Sequence, residues 1–167
     1  KAARLLRDQP VHWTLIGTGQ ESEKIDELLA EEPLPNLNRI DWVPYDSLSD
    51  HIHNADLCLG MFGAGERGRH ALSNKIFQIL ATGTPLVTRD SPAIRQLLNP
   101  EMPGIYLVSP EDPNALANAV MAFSRDRGEL AQQALHLEVQ KQLEPKTVGA
   151  LILEEMRNLN QPRPSGD

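Results

Sequence analysis

The chain has 167 residues, 40% of them hydrophobic and 23% charged, which suits one globular domain able to bury a core. Its formal net charge of -7 argues against wholesale nucleic-acid binding, and no apolar run approaches the roughly 20 residues of a membrane span. No basic-then-apolar signal opens it, and a single cysteine, Cys58, permits no internal disulfide, so the expected compartment is reducing and cytoplasmic.

Residues Lys1 to Gln9 read as the end of a helix with Leu5 and Leu6 on its apolar side. Val11 to Ile16 alternates and runs into Gly17-Thr18-Gly19, a strand followed by a tight turn. Ile25, Leu28 and Leu29 give Ser22 to Ala30 a helical stripe, stopped by Pro33 and Pro35. A short strand is expected over Arg39 to Val43, ended by Pro44, then a helix over Leu48 to Ala55 with Ser47 as N-cap. Asp56 to Phe62 reads as a buried strand, with Cys58 as a small core residue inside it.

A polar, glycine-rich loop follows, Gly63 to Leu72, and then a helix over Ser73 to Ala81 closed by Thr82-Gly83. Pro85 to Thr88 is a strand, and Ser91-Pro92 opens a helix reaching Leu98. Ile105 to Val108 is the last strand. Asp112 caps a helix over Pro113 to Phe123, and helical material continues to about Leu159. Residues 161–167 form a polar tail, expected to be mobile, so the domain is placed at 1–160. Strands alternate with helices throughout, which predicts an α/β, Rossmann-like parallel sheet with helices on both faces. Such domains begin with a strand, whereas this chain begins in a helix, so a first strand is expected ahead of Lys1.

Ligands of open parallel sheets bind at the carboxyl ends of the strands. Two loops fit that place: Gly17-Thr18-Gly19, and Gly63 to Lys75. The second leads into a helix start, Ser73-Asn74-Lys75, where unpaired N–H groups and the helix dipole favour an anion. Lys75 in a first turn opposes that dipole unless an anion is bound, although a solvated lysine on a capped helix is an equal reading. Arg67, Arg69, His70 and Lys75 form a local basic cluster in an acidic chain, which favours a small anionic ligand over a polymer. Gly17 and Gly19 read either as a plain turn or as a close backbone approach to a ligand. His12, His51, His53 and His136 complete no metal-binding pattern.

Taken together, Asp56-Leu-Cys-Leu-Gly-Met-Phe-Gly63, Ser73-Asn-Lys-Ile-Phe-Gln-Ile-Leu-Ala-Thr-Gly-Thr-Pro-Leu-Val87 and Asp90-Ser-Pro-Ala-Ile-Arg95 resemble the C-terminal domain of group 1 glycosyltransferases, retaining enzymes of the GT-B fold. Ile16 to Gly19, Ile40 to Pro44 and Glu111 to Ala117 resemble further parts of that domain, so the likeness spans about Leu5 to Phe123. The resemblance implies a nucleotide diphosphate sugar, UDP- or GDP-linked, as donor, with no cofactor and no metal required. It implies that the amides of Ser73, Asn74 and Lys75 hold the diphosphate and that Lys75 stabilises it as it leaves. Gln78 stands where the family often has a glutamate bonded to the ribose. His70 stands where a glutamate usually contacts the donor sugar, with Glu66 as a substitute carboxylate from the loop. Gly17 and Gly19 would lie near the nucleotide, and Trp42-Val43-Pro44 beside the base, with Trp42 equally readable as core. The acceptor, a sugar, lipid or polysaccharide, would be held mainly by an N-terminal domain outside this chain. A sugar-nucleotide epimerase and a non-catalytic nucleotide- or partner-binding module are the alternatives.

Overall fold

The computed structural model describes residues 1–65 and 70–159. Its strands form two parallel sheets. In one, β1 (Trp13–Ile16) pairs with β2 (Leu37–Ile40), in register from Trp13 opposite Leu37 to Ile16 opposite Ile40. In the other, β3 (Cys58–Leu59), β4 (Leu86–Arg89) and β5 (Ile105–Val108) lie in that order. Among the described residues the chain-ordered helices are α1 (Ala2–Leu5), α2 (Ser22–Glu31), α3 (Tyr45–His53), α4 (Asn74–Thr82), α5 (Pro92–Arg95), α6 (Pro113–Leu130), α7 (Leu137–Leu143) and α8 (Pro145–Leu159).

The period-two alternation of the strands decides which helix each residue meets. Leu86 and Ile105 pack on Ile76, Ile79 and Leu80 of α4, with Cys58 and Leu107 at the edge of the cluster. Their neighbours Val87 and Val108 point the other way, onto Ala119 of α6, with Leu59 and Tyr106 alongside. Leu86 and Val87 are both fully buried, as a central parallel strand requires. A further cluster of Leu6, Trp13, Ala117 and Val120 takes in Leu37, Leu57 and Leu59, so α1 and α6 join the two sheets. Parallel sheets flanked by helices are the architecture that the alternation of elements predicts.

Three local caps are as the sequence reads them. Ser91 Oγ accepts the Ile94 N–H, Asp112 accepts from Asn114 and Ala115, and Gly83 closes α4 in the left-handed region at φ +71°. Elsewhere the structure corrects the reading. Leu5 is exposed and only Leu6 is buried, because α1 is a single turn. Ser47 is not an N-cap: Pro44 holds that position, α3 starts at Tyr45, and Ser47 Oγ donates to Pro44 O at 2.8 Å. β2 covers Leu37–Ile40 rather than Arg39 to Val43, since its partner β1 ends at Ile16, just before the Gly17 turn. Gly17 turns at φ +108° and donates to Ile40 O at 2.9 Å as the last pairing. Asp41 to Val43 therefore leave the ladder.

Only Cys58–Leu59 of the expected Asp56 to Phe62 strand is regular. Pairing with β4 nevertheless continues through Gly60 N–H to Val87 O and Arg89 N–H to Met61 O, both 2.8 Å. α5 stops at Arg95 rather than Leu98, and α6 runs on past Phe123 to Leu130. The tail 161–167, Glu66, Arg67 and Arg69 lie outside the described residues. Burial pushes the Cys58 thiol up to about 11 against the opposing pull of Lys75, which suits the small core residue the sequence suggests.

Candidate functional site

The carboxyl ends of the strands are reached through three segments. The first is Gly17 to Gly19 after β1. Both glycines are exposed, and a Cβ at either would meet nothing within 4 Å. Packing therefore demands neither, while the positive φ explains Gly17 as a turn residue. Gly19 N–H is taken by Ser22 Oγ at 2.7 Å.

The second segment, Asp41 to Tyr45, follows β2, which the Gly17–Ile40 bond sets beside the first. Trp42 is 75% exposed and Tyr45 77%, with Val43 half-buried between them. Trp42 is thus not a core residue. Two large rings left in water at a strand's carboxyl end form a surface suited to a flat partner.

The third segment is the start of α4. Ser73 adopts extended backbone and its Oγ accepts the Lys75 N–H at 3.3 Å, while its carbonyl takes the Ile76 N–H at 2.9 Å. The Oγ contact is long, so an anion can compete for the Lys75 amide. Asn74 and Lys75 are exposed, and no carboxylate among the described residues pairs with the Lys75 ammonium. One turn on, half-buried Gln78 donates from Nε2 to Tyr45 Oη at 3.4 Å. That contact joins α4 to the segment after β2. Gly17, Val43, Tyr45, Gln78 and the first turn of α4 therefore follow one rim. His70 is exposed ahead of Ser73.

Sequence reasoning missed Tyr45 and Arg89. Tyr45 directly follows Trp42-Val43-Pro44, a signal available in the sequence. Arg89 ends a strand of otherwise uncharged residues, and a charge in that position was the clue. The remaining histidines divide plainly: His12, His51 and His53 are exposed, whereas His136 is buried with Nε2 2.9 Å from Thr84 O. Burial holds the His136 pKa below its ordinary value, partly offset by that contact. Among the described residues no group of three or more His, Cys, Asp or Glu could hold a metal ion, and no helix is long and apolar enough to cross a membrane.

A family model described as "Glycosyl transferases group 1" matches residues 1–126. No curated protein sequence matches the chain. Among solved structures, sucrose-phosphate synthase from Thermosynechococcus elongatus superposes with a TM-score of 0.71 at 19% identity, covering 94% of this chain and 41% of its own. TarM gives 0.69 at 15% identity, covering 96% and 31%. The GtfA/B complex gives 0.57 at 16% identity, covering 94% and 32%. These likenesses show a shared GT-B fold, and the chain spans less than half the length of each of these structures.

Proposed function

This chain belongs to the group 1 glycosyltransferases, and we propose that it forms the nucleotide-sugar-binding part of an enzyme that transfers a sugar to an acceptor with retention of configuration. The observation that carries this reading is the start of α4: a serine-capped first turn with an ammonium that no described carboxylate neutralises, on the same rim as two exposed aromatic rings. The amides of Ser73, Asn74 and Lys75 would bind the donor diphosphate, and the Lys75 ammonium would offset the charge that grows on it as the glycosidic bond breaks. Donors fixed in place need no reorganisation as that charge develops, so a metal is not required for this step. Gln78 and Tyr45 would bond the ribose hydroxyls, Gly17 and Gly19 would let the backbone approach the nucleotide, and Trp42 beside Val43 would stack on the base.

His70 takes the place of a carboxylate that would contact the donor sugar. An imidazole can hydrogen-bond a hydroxyl but supplies no fixed negative charge, so the epimerase and the non-catalytic binding module stay as second readings on that substitution. The donor would be a UDP- or GDP-sugar and the acceptor a sugar, lipid or polysaccharide, with transfer in the cytoplasm.

Titration of the intact protein with UDP and with GDP tests the site. The amides of residues 73–76 are expected to shift in the NMR spectrum. Lys75→Ala should weaken nucleotide binding about tenfold, the range for a hydrogen bond to a charged group. Lys24→Ala is the control, since Lys24 is exposed on α2 and paired 3.0 Å from Glu21. Equal effects of the two changes, or amides that stay still at millimolar nucleotide, refute the assignment.

A further inference from the structure

A second feature lies on the other side of the Gly63 loop. Arg89, the last residue of β4, is 2% exposed. Its Nη1 donates to Gly63 O, and Nε is buried with no acceptor among the described residues. The carboxylates nearby are already committed. Asp90 grips Arg95 through two 2.6 Å bonds, a contact that holds its carboxyl below the usual range, and Glu111 accepts the Ala64 N–H at 3.1 Å. Among the described residues Arg89 forms no ion pair. A buried charge is ordinarily matched by an opposite one, and among the described residues this one is not.

Arg89 also lines a cleft of about 310 Å³, together with Gly63, Ala64, Asp90, Ser91 and Pro110. The cleft gathers the carboxyl ends of β4 and β5 and the loop after β3. None of Ser73 to Gln78 lines it, so it is separate from the start of α4. Its volume admits a phosphate or carboxylate with part of the sugar that carries it.

We propose that this cleft is a small-molecule subsite in which the buried Arg89 guanidinium takes an oxyanion, the phosphate or carboxylate group of a small ligand. A planar fork with a free Nε–H suits a pair of oxygens better than a single carbonyl. The reading does not depend on the nucleotide assignment, because it uses a different charge and a different wall of the fold.

The test is calorimetric titration of the intact protein with inorganic phosphate and, separately, with glucuronate. At least one is expected to bind below about 20 mM, the weak regime of a single charged contact. Whichever binds identifies the oxyanion; phosphate alone points to a phosphorylated ligand and glucuronate alone to a sugar acid. Arg89→Lys should weaken binding about tenfold by removing the fork while keeping the charge. Gly63→Leu adds bulk at a lining residue whose Cβ position is open, and should weaken it. Lys75→Ala should leave the Arg89-dependent part of the binding unchanged. Circular dichroism checks that each variant is folded; if Arg89→Lys is not, Gly63→Leu and Lys75→Ala still decide. The proposal is overturned if neither anion binds, if neither Arg89→Lys nor Gly63→Leu weakens binding, or if all binding disappears with Lys75→Ala.

Discussion

Replacing Gly60 with alanine probes how the loop before the candidate site is anchored. A Cβ at Gly60 would sit 2.5 Å from both Cβ and Oγ1 of Thr88 and 3.0 Å from Ile76 Cδ1. Thr88 is fully buried in β4 and cannot swing away, because Oγ1 takes the Met61 N–H at 3.1 Å and lies 3.3 Å from Met61 O. The new methyl must push β3 from β4 or break that contact. Overpacking of this kind costs roughly 1–3 kcal/mol, and a lost hydrogen bond adds about 1 kcal/mol. The expected destabilisation is therefore about 2–4 kcal/mol, a fall in melting temperature of roughly 5–15 °C for a domain of this size. Urea and thermal denaturation followed by circular dichroism would read it. Gly63→Ala is the matched control: its Cβ would meet nothing within 4 Å, so its stability should change by no more than about 0.5 kcal/mol. Equal melting temperatures for the two variants would refute the steric argument.

Trp42→Ala should weaken UDP or GDP binding about tenfold, the scale of base–aromatic stacking, with little change in melting temperature because the ring is 75% exposed. Lost stability with unaltered affinity would return Trp42 to a packing role. His136 sets a pH dependence. Its folded pKa lies below the ordinary 6.5, so as pH falls the unfolded chain takes up the proton first. Stability from the neutral ring is present above about pH 6.5 and declines below it. His136→Asn preserves a donor toward Thr84 O and tolerates the φ of +65°, and should flatten the slope of melting temperature between about pH 7.5 and 5.5. An unchanged slope would assign that dependence to other groups.

Local chemistry made much of this protein legible from the sequence. Ser91, Asp112 and Gly83 signal helix ends because a cap needs only a side-chain oxygen or a left-handed backbone close in the chain. The order of strands and helices, and the serine-capped start of α4, follow from the same short-range rules. Strand limits were harder, because β2 ends where its neighbour's Gly17 turns away, a partner more than twenty residues distant in sequence. The exposure of Trp42 is a tertiary outcome as well. The sequence by itself determined the alternating architecture, the family and the first turn of α4, all of which rest on residues close together in the chain. Only the tertiary structure brought Tyr45 to Gln78, showed Trp42 to be outside the core, and buried Arg89 beside a cleft without a described counter-charge. Those facts depend on which distant segments meet, and whether a side chain is paired or solvated is settled only when they do.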